Sequence, residues 1–210
     1  MPTEEEYYHW KSATFGSDYD IWHDGLNTAS VESLTGEAHE KAMSMLRKGV
    51  ELKDSYAAEA LAAVRDVDAV PDLRAQLAQS SGDDKVRLAR AINAISPDES
   101  LSKNLIDVLE DGSLHWGVRI SAAVGLRDFQ DEMSERALLE TVERDSNYLV
   151  RYNASDSLVK RWGAIPSTIS AYRDILDLIG APIDGPINAD QQERLSLAVV
   201  CLESLRKQDE

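Results

Sequence analysis

The sequence predicts an all-α chain of repeated helical pairs, and three observations carry that expectation. The dipeptide Val-Arg recurs at Val86-Arg87, Val118-Arg119 and Val150-Arg151, each 32 residues after the last. Apolar residues fall at helical spacing from residue 37 onward, with short breakers between the stripes. No segment sustains a period-two alternation, so no sheet is expected. Self-similarity at such a period marks an array in which each unit buries its apolar face against a neighbour.

The first 36 residues lack the repeat. Six of the chain's thirteen aromatic residues lie there: Tyr7, Tyr8, Trp10, Phe15, Tyr19 and Trp22. Their expected role is an irregular cap over the open apolar end of the first repeat, because so many large rings rarely stay exposed. A binding segment that orders on contact is the alternative.

Helices are expected next over 37–50, where Ala38, Ala42, Met45, Leu46 and Gly49 share a stripe, and over 54–65, which opens on an Asp54-Ser55 cap and is rich in alanine. Helix 69–79 tolerates Pro71 in its first turn, and 83–95 enters through Gly82-Asp83-Asp84. Pro97 and Gly112 bracket 98–110, with proline before and glycine after. Helices 114–129, 131–144 and 147–162 continue the alternation, and Gly163 and Pro166 set off 167–179. The stretch 180–186, with two glycines and two prolines, is a loop. Helix 189–207 closes the series with Leu195, Ala198, Val199, Leu202 and Leu205 inward. Links this short fold neighbouring helices back on one another as hairpins.

The aligned segments resemble HEAT repeats of the short, bilin-lyase-like kind, whose unit is an outer helix, a turn with Asp and an inner helix beginning Val-Arg. The resemblance is best over 69–162, where Ala91 and Ala123, and Ala94, Leu126 and Leu158, also fall in register. Over 37–66 only Tyr56-Ala57-Ala58-Glu59-Ala60-Leu61 carries it, and over 166–207 it is weaker still. It implies a right-handed α-solenoid of about five HEAT-like hairpins, one domain over 37–207, behind an irregular aromatic N-terminal cap over 1–36. It implies no particular activity, because such arrays serve many purposes.

Composition narrows the partners. Acidic residues outnumber basic ones 38 to 22, for a net charge of −16. That balance repels phosphate backbones and anionic lipid and attracts a basic partner, although solubility alone could explain it. A single cysteine, Cys201, excludes an internal disulfide and a cysteine-built metal site. It lies in the apolar run 195–202, where a buried thiol is expected, and that run is far shorter than the ~18 residues of a membrane span. The acidic start Met1-Pro2-Thr3-Glu4-Glu5-Glu6 lacks the pattern of a signal peptide, so a cytoplasmic location is expected.

Two residue sets stand out. Arg87, Arg119 and Arg151 recur in register and read as a structural ladder, their planar forks tying adjacent turns. Trp116 and Tyr148 both sit two residues before a Val-Arg pair, and Tyr152 follows Tyr148 by one helical turn. With Tyr56, Glu59 and Asp156 they form the candidate partner-binding set, since aromatic side chains dominate interface energetics. Packing between repeats is the alternative role for the rings.

Other chemistry is not expected. His39-Glu40 is the one pair of the kind that resembles the iron-binding His-Glu pairs of the HEAT-like deoxyhypusine hydroxylases, and it cannot complete a metal centre. The HEAT-like alkylpurine DNA glycosylases need a basic face, whereas here Lys85, Arg87, Arg90, Arg119 and Arg151 are interleaved with Asp83, Asp84, Asp128 and Asp156, so no nucleic-acid binding is expected. No catalytic triad, phosphate loop or dinucleotide turn is present, hence no catalytic residue and no cofactor is assigned. The expected function is non-catalytic binding of another, basic protein, as in an immunity or inhibitor protein that neutralises a basic toxin or nuclease. A HEAT-like enzyme, glycosylase-like or bilin-lyase-like, is the alternative.

Overall fold

The computed structural model describes residues 4–15, 31, 33–180 and 186–206. Among them are eleven α-helices, three short 3-10 turns and no strand. The chain divides into two compact units, Met1–Asp98 and Glu99–Glu210.

The first unit holds α1 (Glu4–Phe15), α2 (Gly36–Glu51), α3 (Ser55–Ala63), α4 (Val70–Leu77) and α5 (Gly82–Ile95). Helix α1 lies in the segment expected to be irregular. Its buried stripe is Tyr7, Trp10 and Thr14, at helical spacing but with only two large apolar groups, which is too sparse to read from sequence. It packs on α2, where the Tyr7 hydroxyl donates to Met45 Sδ at 3.3 Å and the Lys41 ammonium stands 4.7 Å from the Tyr7 ring centre. Tyr8, by contrast, is 57% exposed. The Phe15 side chain, Tyr19 and Trp22 lie outside the described residues.

Helix α2 buries Ala38, Ala42, Leu46 and Val50, one residue per turn. It ends in a left-handed residue, Lys53 at φ 65°, after which the Asp54 N–H closes on the Gly49 carbonyl at 3.0 Å. The Asp54 carboxylate then accepts the Tyr56 N–H at 3.0 Å and starts α3. Small residues allow the close approach that follows. A Cβ at Gly49 would lie 2.8 Å from Ala57 Cβ, and Ala57, Ala58, Ala60 and Leu61 are all buried. Helix α3 packs on α2 and α5, α4 packs on α5, and α2 touches α4. The unit is therefore two hairpins with α3 beside α5.

The second unit holds α6 (Ser102–Glu110), α7 (Trp116–Leu126), α8 (Glu132–Arg144), α9 (Tyr148–Arg161), α10 (Arg173–Ile179) and α11 (Ala189–Arg206). Side-chain caps begin three of them: His115 Nδ1 takes the Gly117 N–H, Asp131 that of Ser134, and Asn147 those of Leu149 and Val150. Helices α6 and α7 form one hairpin and α8 and α9 another; α7 packs on α9 and α6 on α8. The core between them is Leu105, Leu109, Leu126, Phe129, Leu138 and Leu158, each at most 2% exposed. Burying such side chains contributes about 1.5–3 kcal/mol apiece.

Two features depart from the sequence expectation. Several helices are shorter, because 3-10 turns take residues read as helix: Glu99–Leu101, Ile169–Ala171 and, at the end of the turn Val67–Ala69, Ala69. The last pair also breaks the alternation, for α11 packs on α8 as well as on α10, while α10 touches α9. Leu195, Ala198 and Leu202 face α11's neighbours, whereas Cys201 falls off that stripe and its thiol is half-buried rather than buried.

Candidate interaction surface

The three register arginines are held inside their own units. Arg87 on α5 donates to Glu59 on α3 at 2.7 Å and to Asp83 at 2.9 Å, with its guanidinium 4.2 Å from the Tyr56 ring centre. Burial opposes the Arg87 charge, but Glu59, Asp83 and Tyr56 outweigh it and hold its pKa above the usual arginine value. Arg119 on α7 pairs with the Asp145 carboxylate in the turn before α9, and its Nε is buried without a hydrogen bond. Arg151 is fully buried. It donates to the carbonyls of Asp145 at 2.8 Å, Ser146 at 2.9 Å and Ile179 at 2.7 Å, with burial pushing its pKa down. A fourth arginine follows the same logic without a sequence signal. Arg161, at the end of α9, donates to the Phe129 carbonyl and to that of Asp131, and its Nε lies 3.5 Å from Glu135, which Arg206 of α11 also pairs.

The candidate aromatics divide by unit. Trp116 and Tyr148 are the first residues of α7 and α9, two helices in contact, so the 32-residue register sets them on adjacent N-terminal turns. The Arg119–Asp145 pair ties the first turn of α7 to the turn before α9, so the two helix starts lie close. Trp116 is 42% exposed and its ring lies tilted at 38° against that of His115, 4.7 Å between centres. Tyr148 meets Tyr152 edge-on at 6.1 Å, both half-buried. Leu149, absent from the candidate set, is 39% exposed beside them. It reads as core in a Leu-Val-Arg run, and only its offset from the Val150–Ala154–Leu158 stripe could have marked it. His115 and Trp116 at the start of α7 and Tyr148, Leu149 and Tyr152 on α9, each exposed or half-buried, make up the candidate aromatic row.

The other three members have internal duties. Tyr56 and Glu59 hold Arg87 in the first unit. Asp156 accepts the Ile169 N–H at 3.0 Å, the Thr168 hydroxyl at 3.2 Å and Lys160 Nζ at 2.8 Å, pinning the turn after α9. Burial alone would raise the Asp156 carboxyl, but those three partners hold it below the usual carboxylate value.

Concave surface is present but shallow. An open groove of ≈ 770 Å³ in the second unit is lined by Glu110, Arg119, Glu140, Arg144, Asp145 and Ile187 among others, and carries both signs of charge. His39 and Glu40 line a similar open groove in the first unit with Arg47 and Lys48. Among the described residues no three His, Cys, Asp or Glu side chains converge as a metal site, and no helix is long and apolar enough to cross a membrane. Comparison with family models, with curated proteins and with solved structures finds no match to this chain.

Proposed function

We propose that this chain is a HEAT-like repeat protein, a right-handed solenoid of stacked hairpins, that binds another protein and performs no chemistry itself. One observation carries the reading: Trp116 and Leu149, both well exposed, stand beside Tyr148 and Tyr152 on neighbouring helix starts. Rings in such a row supply large, rigid contact area at small entropic cost, which is the usual make-up of an interface anchor. The repeat reading rests on the 32-residue recurrence and on the pairing of helices within each unit. The partner is basic, since residues 99–210 hold twenty acidic residues against twelve basic ones. A cytoplasmic immunity or inhibitor protein that covers a basic toxin or nuclease has these properties.

The test is kinetic. A partner captured on the immobilised chain is purified and its binding followed in real time across a salt series. Added salt should slow association, while Trp116→Ala should speed dissociation about tenfold or more, as loss of an anchor does. Binding that ignores both salt and Trp116→Ala, or recovery of nucleic acid or a small ligand in place of a protein, would overturn the proposal.

A further inference from the structure

The two units treat their inner-helix tyrosines differently. In the first, Tyr56 stands three residues before Glu59, and the pair receives a guanidinium: Arg87 lies over the ring at 4.2 Å and donates to the carboxylate at 2.7 Å. In the second, Tyr152 stands four residues before Asp156, so the same two groups again lie one helical turn apart. Tyr56 and Tyr152 stand three repeat periods apart, and Glu59 and Asp156 each lie two residues before a buried leucine, Leu61 or Leu158. Yet among the described residues no cation stands over the Tyr152 ring. The chain also supplies no counterpart to Arg87 there. One period after Arg151 stands Ile183, and no lysine or arginine occurs between Arg173 and Arg194.

We propose that Tyr152, with the acidic unit around it, receives an arginine side chain of the partner protein, as Tyr56 receives Arg87. The proposal rests on the protein-binding reading and names the chemistry that the aromatic row selects. A guanidinium suits the place better than an ammonium, because its plane stacks on a ring and it gives up its hydration more readily. The edge-on contact with Tyr148 steadies the Tyr152 ring, so little freedom is lost when the arginine docks. Asp156 is already shared with Lys160, Thr168 and Ile169, so the ring rather than the carboxylate is the chief contact.

The test uses the whole chain and two fluorescent peptides of equal length and charge, one alternating glycine with arginine and one glycine with lysine. Anisotropy titrations at low and physiological salt should show the arginine peptide binding about two- to fivefold more tightly. Tyr152→Leu should abolish that preference, Tyr152→Phe should keep it, and salt should weaken both peptides. Circular dichroism confirms that the variants are folded, and the comparison of peptides on the wild-type chain does not depend on them. Equal affinity for the two peptides, or a preference that survives Tyr152→Leu, overturns the arginine site while leaving a charge-selected basic partner standing. Failure of either peptide to bind at low salt overturns both.

Discussion

Arg119 and Arg151, one repeat period apart, meet at a single residue: the first pairs with the Asp145 carboxylate and the second donates to the Asp145 carbonyl at 2.8 Å. The turn before α9 is thereby fixed from α7 and from α9 itself. Asp145 also accepts the Asn147 N–H at 2.7 Å, so the residue that caps α9 is set by the same carboxylate.

Alanine at the three register arginines should cost stability in the order Arg151, Arg119, Arg87. Arg151→Ala leaves the buried Ile179 carbonyl and the part-buried Asp145 and Ser146 carbonyls without this donor, a loss of about 3 kcal/mol. Arg119→Ala strands a buried carboxylate for roughly 2–3 kcal/mol, and Arg87, partly open to solvent, is worth about 1 kcal/mol. Urea denaturation of the three variants checks the order. Arg151→Lys should not rescue the first loss, since an ammonium cannot span carbonyls on both sides as the fork does. An Arg87→Ala loss as large as that of Arg151→Ala would contradict this account.

Much of this was legible from sequence because the repeat marks positions. The Val-Arg period put Arg87, Arg119 and Arg151 near the starts of α5, α7 and α9, and Asp54, His115 and Asn147 do open α3, α7 and α9. The same period placed Trp116 and Tyr148 at equivalent helix starts. It could not say which distant group each arginine reaches, because Glu59, Asp145 and Ile179 lie 26–28 residues from Arg87, Arg119 and Arg151 and depend on packing. Helix α1 was missed because Tyr7 and Trp10 alone make too weak a stripe. Asp156 looked available because its three partners come from its own following turn and a turn beyond, which no periodicity marks.

The Asp156 carboxyl should impart acid sensitivity. Its folded pKa is depressed, so its contribution is full above the unfolded value of about 3.9 and is lost as pH falls through the folded value. Asp156→Asn should therefore destabilise by about 1–2 kcal/mol at neutral pH, with the difference narrowing towards pH 3. Urea midpoints for both proteins across that range check it. A gap that stays constant to pH 3 would show that the ionised form is not what holds the turn.

Gly49 should tolerate no side chain while Ala57 faces it. Gly49→Ala must push α2 from α3, at about 1–3 kcal/mol, against roughly 1 kcal/mol gained in helix propensity. Ala57→Gly should cost on its own and yet relieve Gly49→Ala in the double variant. Thermal melts of the single and double variants check the coupling, and simple additivity would mean that the two helices do not meet there.

The most direct test of the binding face is site-specific photocrosslinking in cells of the source organism. A photoreactive phenylalanine analogue replaces Trp116, Leu149 or, as control, Met133, which is 57% exposed on α8. Crosslinks from positions 116 and 149 to one common basic protein, with none from 133, are the predicted result. Crosslinking equally from all three positions, or from 133 and not from 116, would contradict the assignment of the aromatic row as the surface that binds.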